Sequence, residues 1–593
     1  MPPFQNLPVK FMKKRIIRHK TSHDSDTLPD SIHPVLKRIY QHRDIHSEEL
    51  IDKSLQKLLP FTQLSNINQA AQIIADCLVN KQRIIIIGDF DADGATSTTV
   101  AIKSLRMLGA SFVDFLVPNR FKFGYGLTPE IVDEAEKHYT PNLIITVDNG
   151  ISSIEGVKAA KNNNIKVVVT DHHLAGLELP QADAIVNPNQ AGDEFQSKHM
   201  AGVGVIFYVM LALRSLLRQQ NWFSDQQIAE PNFSSLLDIV ALGTVADVVP
   251  LDQNNRILVN QGLKRIRAGK ACPGIQALIE ISNRRSENLV AGDMGFCIGP
   301  RLNAAGRLED MSVGIHCLLA ENLAEARRYA TQLNNLNQER REIESQMQQD
   351  AMQTLEKLQL DEACELPLGL CLYDPGWHQG VIGILASRIK DRLHRPVIVF
   401  ADNDDQEIKG SARSITHIHI RDVLDNIATQ NPGLINKFGG HAMAAGLSIE
   451  KSRFQEFQEK FNAEVTRLVK PEYLDQIVLS DGELSENEFS MQVAEILRNA
   501  EPWGQAFPEP VFDGCFKVLH QRIVGEKHLK LRLKPSNSHQ QLDAIAFNSI
   551  DVQDQNSPYA VGDELRAAFR LDINEFRGQK TLQLMIEYME PAI

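Results

Sequence analysis

The feature that most constrains this chain is the run Ile84-Ile85-Ile86-Ile87-Gly88-Asp89-Phe90-Asp91-Ala92-Asp93-Gly94. Consecutive β-branched apolar residues predict a strand buried on both faces, the kind found in parallel sheets. The strand gives way to carboxylates at alternate positions, Asp89, Asp91 and Asp93, before Gly94 and a helix-like segment from Ala95. In an extended segment alternate side chains share a face, so this spacing predicts that the three converge. Like charges that close repel unless a cation sits among them, and a divalent metal is the usual one. A solvated acidic turn capping the next helix is the plainer reading of such a segment. The rest of the chain decides between the two.

Matching elements follow. Leu143–Val147 reads as a second buried strand and ends in Asp148-Asn149-Gly150; Ile165–Val169 reads as a third and ends in Thr170-Asp171-His172-His173. A further apolar run from Ile239 leads into Asp247. From about residue 81 to 250 strand-like and helix-like segments alternate, which predicts a doubly wound parallel sheet. In such sheets the carboxyl ends of the strands lie side by side, where ligands bind. Oxygen donors with one or two imidazoles suit Mn²⁺ or Mg²⁺ better than zinc, which prefers thiolates or more histidines.

At 593 residues the chain has room for about three or four domains, and its 43 % hydrophobic and 23 % charged content is that of ordinary globular protein. Seven cysteines, with no Cys-x-x-Cys spacing, argue against a disulfide framework or a zinc knuckle and fit a reducing, cytoplasmic compartment. The tract 201–217 is apolar, but glycines interrupt it and Arg214 and Arg218 end it, so a buried helix is expected rather than a membrane span. The net charge of −13 does not advertise a nucleic-acid binder, although a metal site that concentrates carboxylates weakens that argument. Local basic clusters then matter more. Lys10, Lys13, Lys14, Arg15, Arg18 and Lys20 form an N-terminal arm, expected to be a flexible tail or, alternatively, to touch DNA.

Further along, Arg120 stands in a loop beside Gly124-Tyr125-Gly126, where a guanidinium could hold a phosphate bidentately. Residues 292–307 carry Arg301, Asn303 and Arg307 among small residues, which reads as an anion-binding loop. From Asn322 to Leu360 there is neither Pro nor Gly, and apolar residues recur at helical spacing, which predicts one long helix bridging two domains beside a groove that would suit a threaded strand. A second α/β unit follows, with small-residue loops at Gly410–Ser414 and Gly439–Gly446. Short alternating strands near the C-terminus predict a β-barrel of the OB type, with Lys530, Arg532 and Lys534 on one strand face as a stripe that could track a nucleic-acid backbone.

Asp89-Phe90-Asp91-Ala92-Asp93-Gly94, Asp148-Asn149-Gly150, Asp171-His172-His173 and Gly243-Thr244-Val245-Ala246-Asp247 resemble, in order and context, the four motifs of the DHH phosphoesterase superfamily. Nearly the whole chain is similar to its RecJ family, single-strand-specific 5′→3′ DNA exonucleases. The resemblance implies an α/β fold: a flexible basic arm (1–29), a DHH domain (30–320), a connecting helix (321–362), a DHH-associated domain (363–468) and an OB-like domain (469–593). It implies two Mn²⁺ or Mg²⁺ ions bridged by Asp148. One would be held by Asp93, Asp148, His172 and Asp247, the other by Asp91 and Asp148 with Asp89. His173 would orient the phosphate or support the ligands. Arg120 would face the DNA end, opposite Ser411 and Arg413, which would grip the 5′-phosphate. Arg301, Asn303 and Arg307 would be phosphate contacts, Gly439 and Gly440 an anion loop, and His441 either a polarising or a structural histidine. The implied activity is hydrolysis of single-stranded DNA to 5′-mononucleotides in repair and recombination, alongside a single-strand-binding protein and a RecQ-type helicase. Two other readings remain at this point: a DHH phosphodiesterase of oligoribonucleotides or cyclic dinucleotides, and a non-catalytic single-strand-binding scaffold.

Overall fold

A computed structural model describes residues 14–20, 28–119, 125–361, 366–525, 527–550, 559–576 and 578–592. These divide into two compact units: residues 23–338 with 496–509, and residues 1–22, 339–495 and 510–593.

The first unit is built on a five-stranded sheet in the spatial order Phe112–Leu116, Arg83–Gly88, Leu143–Val147, Lys166–Thr170 and Ala184–Val186, every neighbouring pair parallel. Ile84, Ile85, Ile86 and Ile87 are fully buried, as a strand covered on both faces requires. Ile85 and Ile87 pack with Ile131, Val132 and Val157 of helices Pro129–Tyr139 and Ile154–Asn162. Helix Ala92–Met107 contacts the same strand and also packs on helices Gly202–Gln219 and Leu237–Ala246. Its Ala, Gly, Ser and Thr positions are buried, which lets these backbones approach closely. The next strand in sequence pairs on one side of Arg83–Gly88 and the one after it on the other. The order therefore reverses there and opens a crevice beyond the strand ends.

Among the described residues one helix, Gly202–Gln219, is long and apolar enough to cross a membrane, and it is mostly buried as a core helix of this unit. The fourth apolar run is also a helix, Leu237–Ala246, so Asp247 arrives from a helix C-terminus and not from a strand end.

Residues 496–509 pack into the first unit, although they lie inside the range that the sequence assigns to the C-terminal barrel domain. The Glu501 carboxylate anchors them. It accepts hydrogen bonds from Tyr40 Oη (2.9 Å) and Lys53 Nζ (2.6 Å), and Arg256 Nε lies 3.5 Å from its second oxygen.

Helix Leu323–Asp361, 39 residues long, carries the chain from one unit into the other, with the boundary after Gln338. In the second unit a mixed sheet runs Lys437–Gly440, Ala444–Glu450, Glu407–Arg413, Val397–Asp402, Leu370–Tyr373. Phe400, Phe457 and Phe461 lie in its core. A closed five-stranded barrel follows, Phe512–Val524, His528–Pro535, Leu542–Ala546, Gln579–Pro591 and Glu564–Phe576, its ring completed by the parallel pairing of the third and fourth.

The expectation of a flexible basic arm does not hold for the segment Lys14–Arg18. Lys14–Arg18 is a strand paired in parallel with Gln476–Ser480. Arg18 donates bidentately to the buried Asp513 carboxylate (2.9 Å each), which Arg566 and Ser480 also engage. A buried carboxylate at that distance in sequence turns a solvated basic segment into a docked one. Lys10 and Lys13 lie outside the described residues.

Glu501→Ala should destabilise the chain by about 3–5 kcal/mol, because Lys53 and Arg256 would be left partly buried without their counter-charge. Tyr40→Phe should cost about 1 kcal/mol, since it removes one hydrogen bond. Urea denaturation of both variants checks the ranking.

Candidate metal centre

The carboxylates do not alternate along one extended segment. The strand ends at Gly88, and Asp91 is the N-cap of helix Ala92–Met107, accepting the Gly94 N–H (3.0 Å). Asp93 lies in the first turn of that helix. Side chains therefore leave in different directions and divide between two neighbouring pockets. Asp89, Asp91 and Asp148 bring one donor atom each to within 4.8 Å of one another; so do Asp93, His172 and Asp247. A third such set, Asp148, His172 and His173, overlaps both. His172 Nε2 is 3.1 Å from Asp148 Oδ1 and 3.5 Å from Asp247 Oδ2, which joins the pockets.

Backbone donors hold this charge in place. Asp93 accepts the Gly202 N–H (2.6 Å) and the Val203 N–H (3.0 Å), so the positive end of the buried helix Gly202–Gln219 rests on it. Asp148 adopts a left-handed conformation (φ +62°) and donates its N–H to the Thr170 carbonyl. Asn149 Nδ2 ties the ends of two strands together through the Ile87 (3.0 Å) and Val147 (2.9 Å) carbonyls. Close approach requires glycine at two points. A side chain at Gly202 would place its Cβ 2.7 Å from the Asp148 Cβ, and one at Gly306 would place it 1.7 Å from the Phe90 carbonyl oxygen.

Residue Asp171, quoted in the sequence motif but given no task there, organises the histidine turn. Its Oδ2 accepts the Ile151 N–H (2.9 Å), and its Oδ1 accepts the N–H groups of His172 (2.7 Å) and His173 (3.0 Å). The same Oδ1 lies 2.7 Å from His173 Nδ1. Burial works against a charged His173, but the bond to Asp171 and the surrounding carboxylates outweigh it and raise its pKa to about 9. The bond to Asp171 thus favours the imidazolium form of His173, which is suited to donate to an anion. Tyr125 is a second residue without a sequence-based role: its hydroxyl is 3.3 Å from the Asp148 carbonyl and from His173 Nδ1, and its ring meets Phe90 edge-on. Neither residue announces itself by type or spacing; only the folded turn brings them here.

Segment 292–307 is not a loop. It is a short helix, a π-helical turn Met294–Ile298 and helix Gly299–Leu308. Asn303 Oδ1 accepts the Ala92 N–H (2.8 Å), between Asp91 and Asp93, so Asn303 supports the carboxylate turn. Arg301 donates to Asn334 Oδ1 (3.1 Å) and to the Cys297 carbonyl. Arg307 stands next to Gly306 on the same helix. Arg120 lies outside the described residues.

Ser411, Arg413, Gly439, Gly440 and His441 belong to the other unit, the first four on its sheet strands and His441 in the hairpin loop that follows Gly440. Arg413 donates to Ser411 Oγ (3.1 Å) and Ser387 Oγ (3.2 Å), and burial lowers its pKa. Gly439 pairs with Gly446, which pairs with Ser411 in turn, and no atom lies within 4 Å of a Cβ added at either glycine. Bare backbone is exposed beside the arginine. His441 donates its N–H to the Ala444 carbonyl in the same hairpin.

Burial and mutual repulsion raise the pKa values of Asp148 and Asp247 well above the ordinary carboxylate range, and that of Asp93 to about 7. Asp148 Oδ1 and Asp247 Oδ2 are buried and accept no hydrogen bond. A hard dication would satisfy both oxygens and cancel the repulsion, so the donor set fits Mn²⁺ or Mg²⁺.

The site makes two predictions. Between pH 3.8 and about 7 the folded metal-free chain holds a proton on Asp93 that the unfolded chain has released, so stability falls as pH rises through that window. His173 acts in the same direction between pH 6.5 and about 9, whereas the lowered pKa of Asp171 matters only in acid. The melting temperature in EDTA should therefore fall from about pH 5.5 to about pH 8, and Mn²⁺ should raise it more at the higher pH. Equal metal stabilisation at both pH values would contradict the assignment. Asn303→Ala should weaken metal binding by about 10–100-fold, read by titration calorimetry, because the turn between Asp91 and Asp93 loses its support.

Comparison with known proteins follows the same division. The DHH family, N-terminal domain, matches residues 83–244; the DHHA1 domain matches 367–467; the RecJ OB domain matches 480–588. The chain is 53 % identical over 98 % of its length to the single-stranded-DNA-specific exonuclease RecJ of Salmonella typhimurium, and spans 100 % of that protein. It is 52 % identical to the Escherichia coli protein of the same name, covering 98 % of this chain and 100 % of that one. The crystal structure of RecJ in complex with Mn²⁺ from Thermus thermophilus matches with a TM-score of 0.77 at 29 % identity, covering 95 % of this chain and 76 % of that one. A Mg²⁺ complex of the Thermus protein matches with a TM-score of 0.71 at 28 % identity, over 95 % of this chain and 75 % of that one.

Proposed function

This chain belongs to the RecJ family of single-stranded-DNA-specific exonucleases, and we infer that it removes 5′-mononucleotides successively from the 5′ end of a single strand at the paired carboxylate pockets. It is an exonuclease of single-stranded DNA and uses Mn²⁺ or Mg²⁺. The observation that carries the site assignment is the pair of adjoining pockets that share Asp148 and His172 and keep two buried carboxylate oxygens without a hydrogen-bond donor.

In this reading Asp93, Asp148, His172 and Asp247 hold one ion, and Asp89, Asp91 and Asp148 the other. Two ions bound there supply Lewis acidity and a water of lowered pKa. The protein's own groups do the rest. The imidazolium of His173, fixed by Asp171, donates a hydrogen bond to a non-bridging phosphate oxygen as negative charge builds there. Water adds to phosphorus as the phosphorus–O3′ bond breaks, and its proton passes through solvent to O3′, leaving a 3′-hydroxyl on the released nucleotide and a new 5′-phosphate on the shortened strand. Arg120 is a candidate contact to the 5′-phosphate, and Ser411 and Arg413 of the other unit are separate candidate phosphate contacts, supported by a half-buried guanidinium whose hydrogen-bond partners are hydroxyls and a carbonyl. Work in repair and recombination beside a single-strand-binding protein and a RecQ-type helicase, in the cytoplasm, completes the reading.

The test uses single-stranded and duplex DNA labelled at either end, with Mn²⁺, Mg²⁺ or EDTA. Early release of labelled mononucleotide from the 5′ end of single strands, only with metal, is expected; release from the 3′ end first would reverse the polarity. Asp91→Ala should lower the rate by at least about 10²-fold with an unchanged circular dichroism spectrum. A fully active variant would remove Asp91 from the centre.

A further inference from the structure

Phe296 has 82 % of its surface exposed, far more than a phenylalanine needs when a core is available. It sits in the π-helical turn Met294–Ile298, whose Met294 and Ile298 stay buried while Phe296 points outward. Such turns recur at functional sites, because the wider turn re-aims one side chain. The turn packs on the C-terminal end of helix Leu237–Ala246. A Cβ at Gly295 would lie 3.4 Å from Val245 Cγ1, and one at Gly299 would lie 3.1 Å from the Ala246 Cβ. Asp247, a ligand in the reading above, is the next residue.

A second, independent oddity lies on that same rim. Val248 has φ +61° and is 62 % exposed, and its N–H is held by the Val245 carbonyl (3.2 Å). A β-branched residue in the left-handed region is strained, and strain of this kind persists where the surrounding fold enforces it, often at a working site. Here it turns an apolar side chain to solvent directly after Asp247. Arg301, folded back onto the Cys297 carbonyl in the same turn, places a guanidinium near the aromatic ring's segment. An exposed aromatic followed within a few residues by a cation is the pairing that single-stranded nucleic acids use, a base on the ring and a phosphate near the charge.

We propose that Phe296, with Val248 on the same rim, is a stacking platform for one unpaired nucleobase of the single-stranded substrate beside the metal centre. The platform rests on the exonuclease reading and adds to it a residue that selects single strands. A base in a duplex is already stacked on both faces and paired at its edge, so it has no face to offer. Phosphate contacts alone would not make that distinction. Because every base has a π-face, the contact carries no sequence preference.

The test measures steady-state hydrolysis of a 5′-phosphorylated oligonucleotide by the metal-loaded full chain, against a set of the same strand with one abasic residue moved stepwise from the 5′ end. Wild type should show KM raised about 5–20-fold at one register position only. Phe296→Ala should have that raised KM on the intact strand, kcat within about twofold, and no further loss at the abasic position. Phe296→Trp should restore the difference between the two strands. A Phe296→Ala enzyme with wild-type KM would overturn the platform, and so would one that still loses affinity at the abasic position, which is the behaviour of a merely structural side chain. Wild type that hydrolyses no single-stranded DNA would overturn the exonuclease reading and the platform with it.

Discussion

Repulsion among buried carboxylates is the constraint on which the rest of this structure depends. Asp89, Asp91, Asp93, Asp148 and Asp247 converge at one edge of the sheet, and Asp93 and Asp148 are almost wholly withdrawn from solvent. Without compensation such a cluster would protonate or push itself apart. The fold answers in two ways. Backbone N–H groups hold individual carboxylates, most clearly where the N-terminus of the helix Gly202–Gln219 meets Asp93. Donor atoms left without hydrogen bonds, Asp148 Oδ1 and Asp247 Oδ2, mark where cationic charge is wanted. The centre is therefore built to be completed by an ion, not merely to tolerate one.

Much of the surrounding architecture reads as support for that cluster. The central parallel strands are buried on both faces. The crevice at the reversal of strand order is the place where segments remote in sequence can meet. Helix Gly299–Leu308 lies against the Asp-rich turn so closely that position 306 admits no side chain, and it commits Asn303 to one backbone N–H of that turn. Asp171 does the same for the histidines. Asn303 and Asp171 thus set the positions of the neighbouring donor residues.

The second unit follows a different physical logic. Its sheet displays bare backbone at Gly439 and Gly446 beside Ser411 and a half-buried, hydroxyl-bonded Arg413. That surface has the chemistry of an anion cradle without concentrated negative charge. The N-terminal strand is anchored to this unit by Arg18 on Asp513, and residues 496–509 are anchored to the other by Glu501. In both places a short stretch of chain is tied down by a buried carboxylate far away in sequence.

The amino-acid sequence by itself determined the strands, the long helix and the barrel, and it nominated the residues proposed as metal ligands. These are legible because they are local: apolar periodicity marks a buried strand, and an acidic or histidine residue just after it marks a strand end. Tertiary structure alone decided how the donors are shared. Asp89, Asp91 and Asp93 look equivalent in sequence, but a helix begins between them and divides them between two pockets. Asn303 looks like one more residue of an anion loop until Ala92, over two hundred residues earlier, is found donating to its oxygen. Arg18 looks like part of a flexible tail until Asp513 is beside it. Each of these outcomes depends on a partner remote in the chain, and no local pattern encodes a partner.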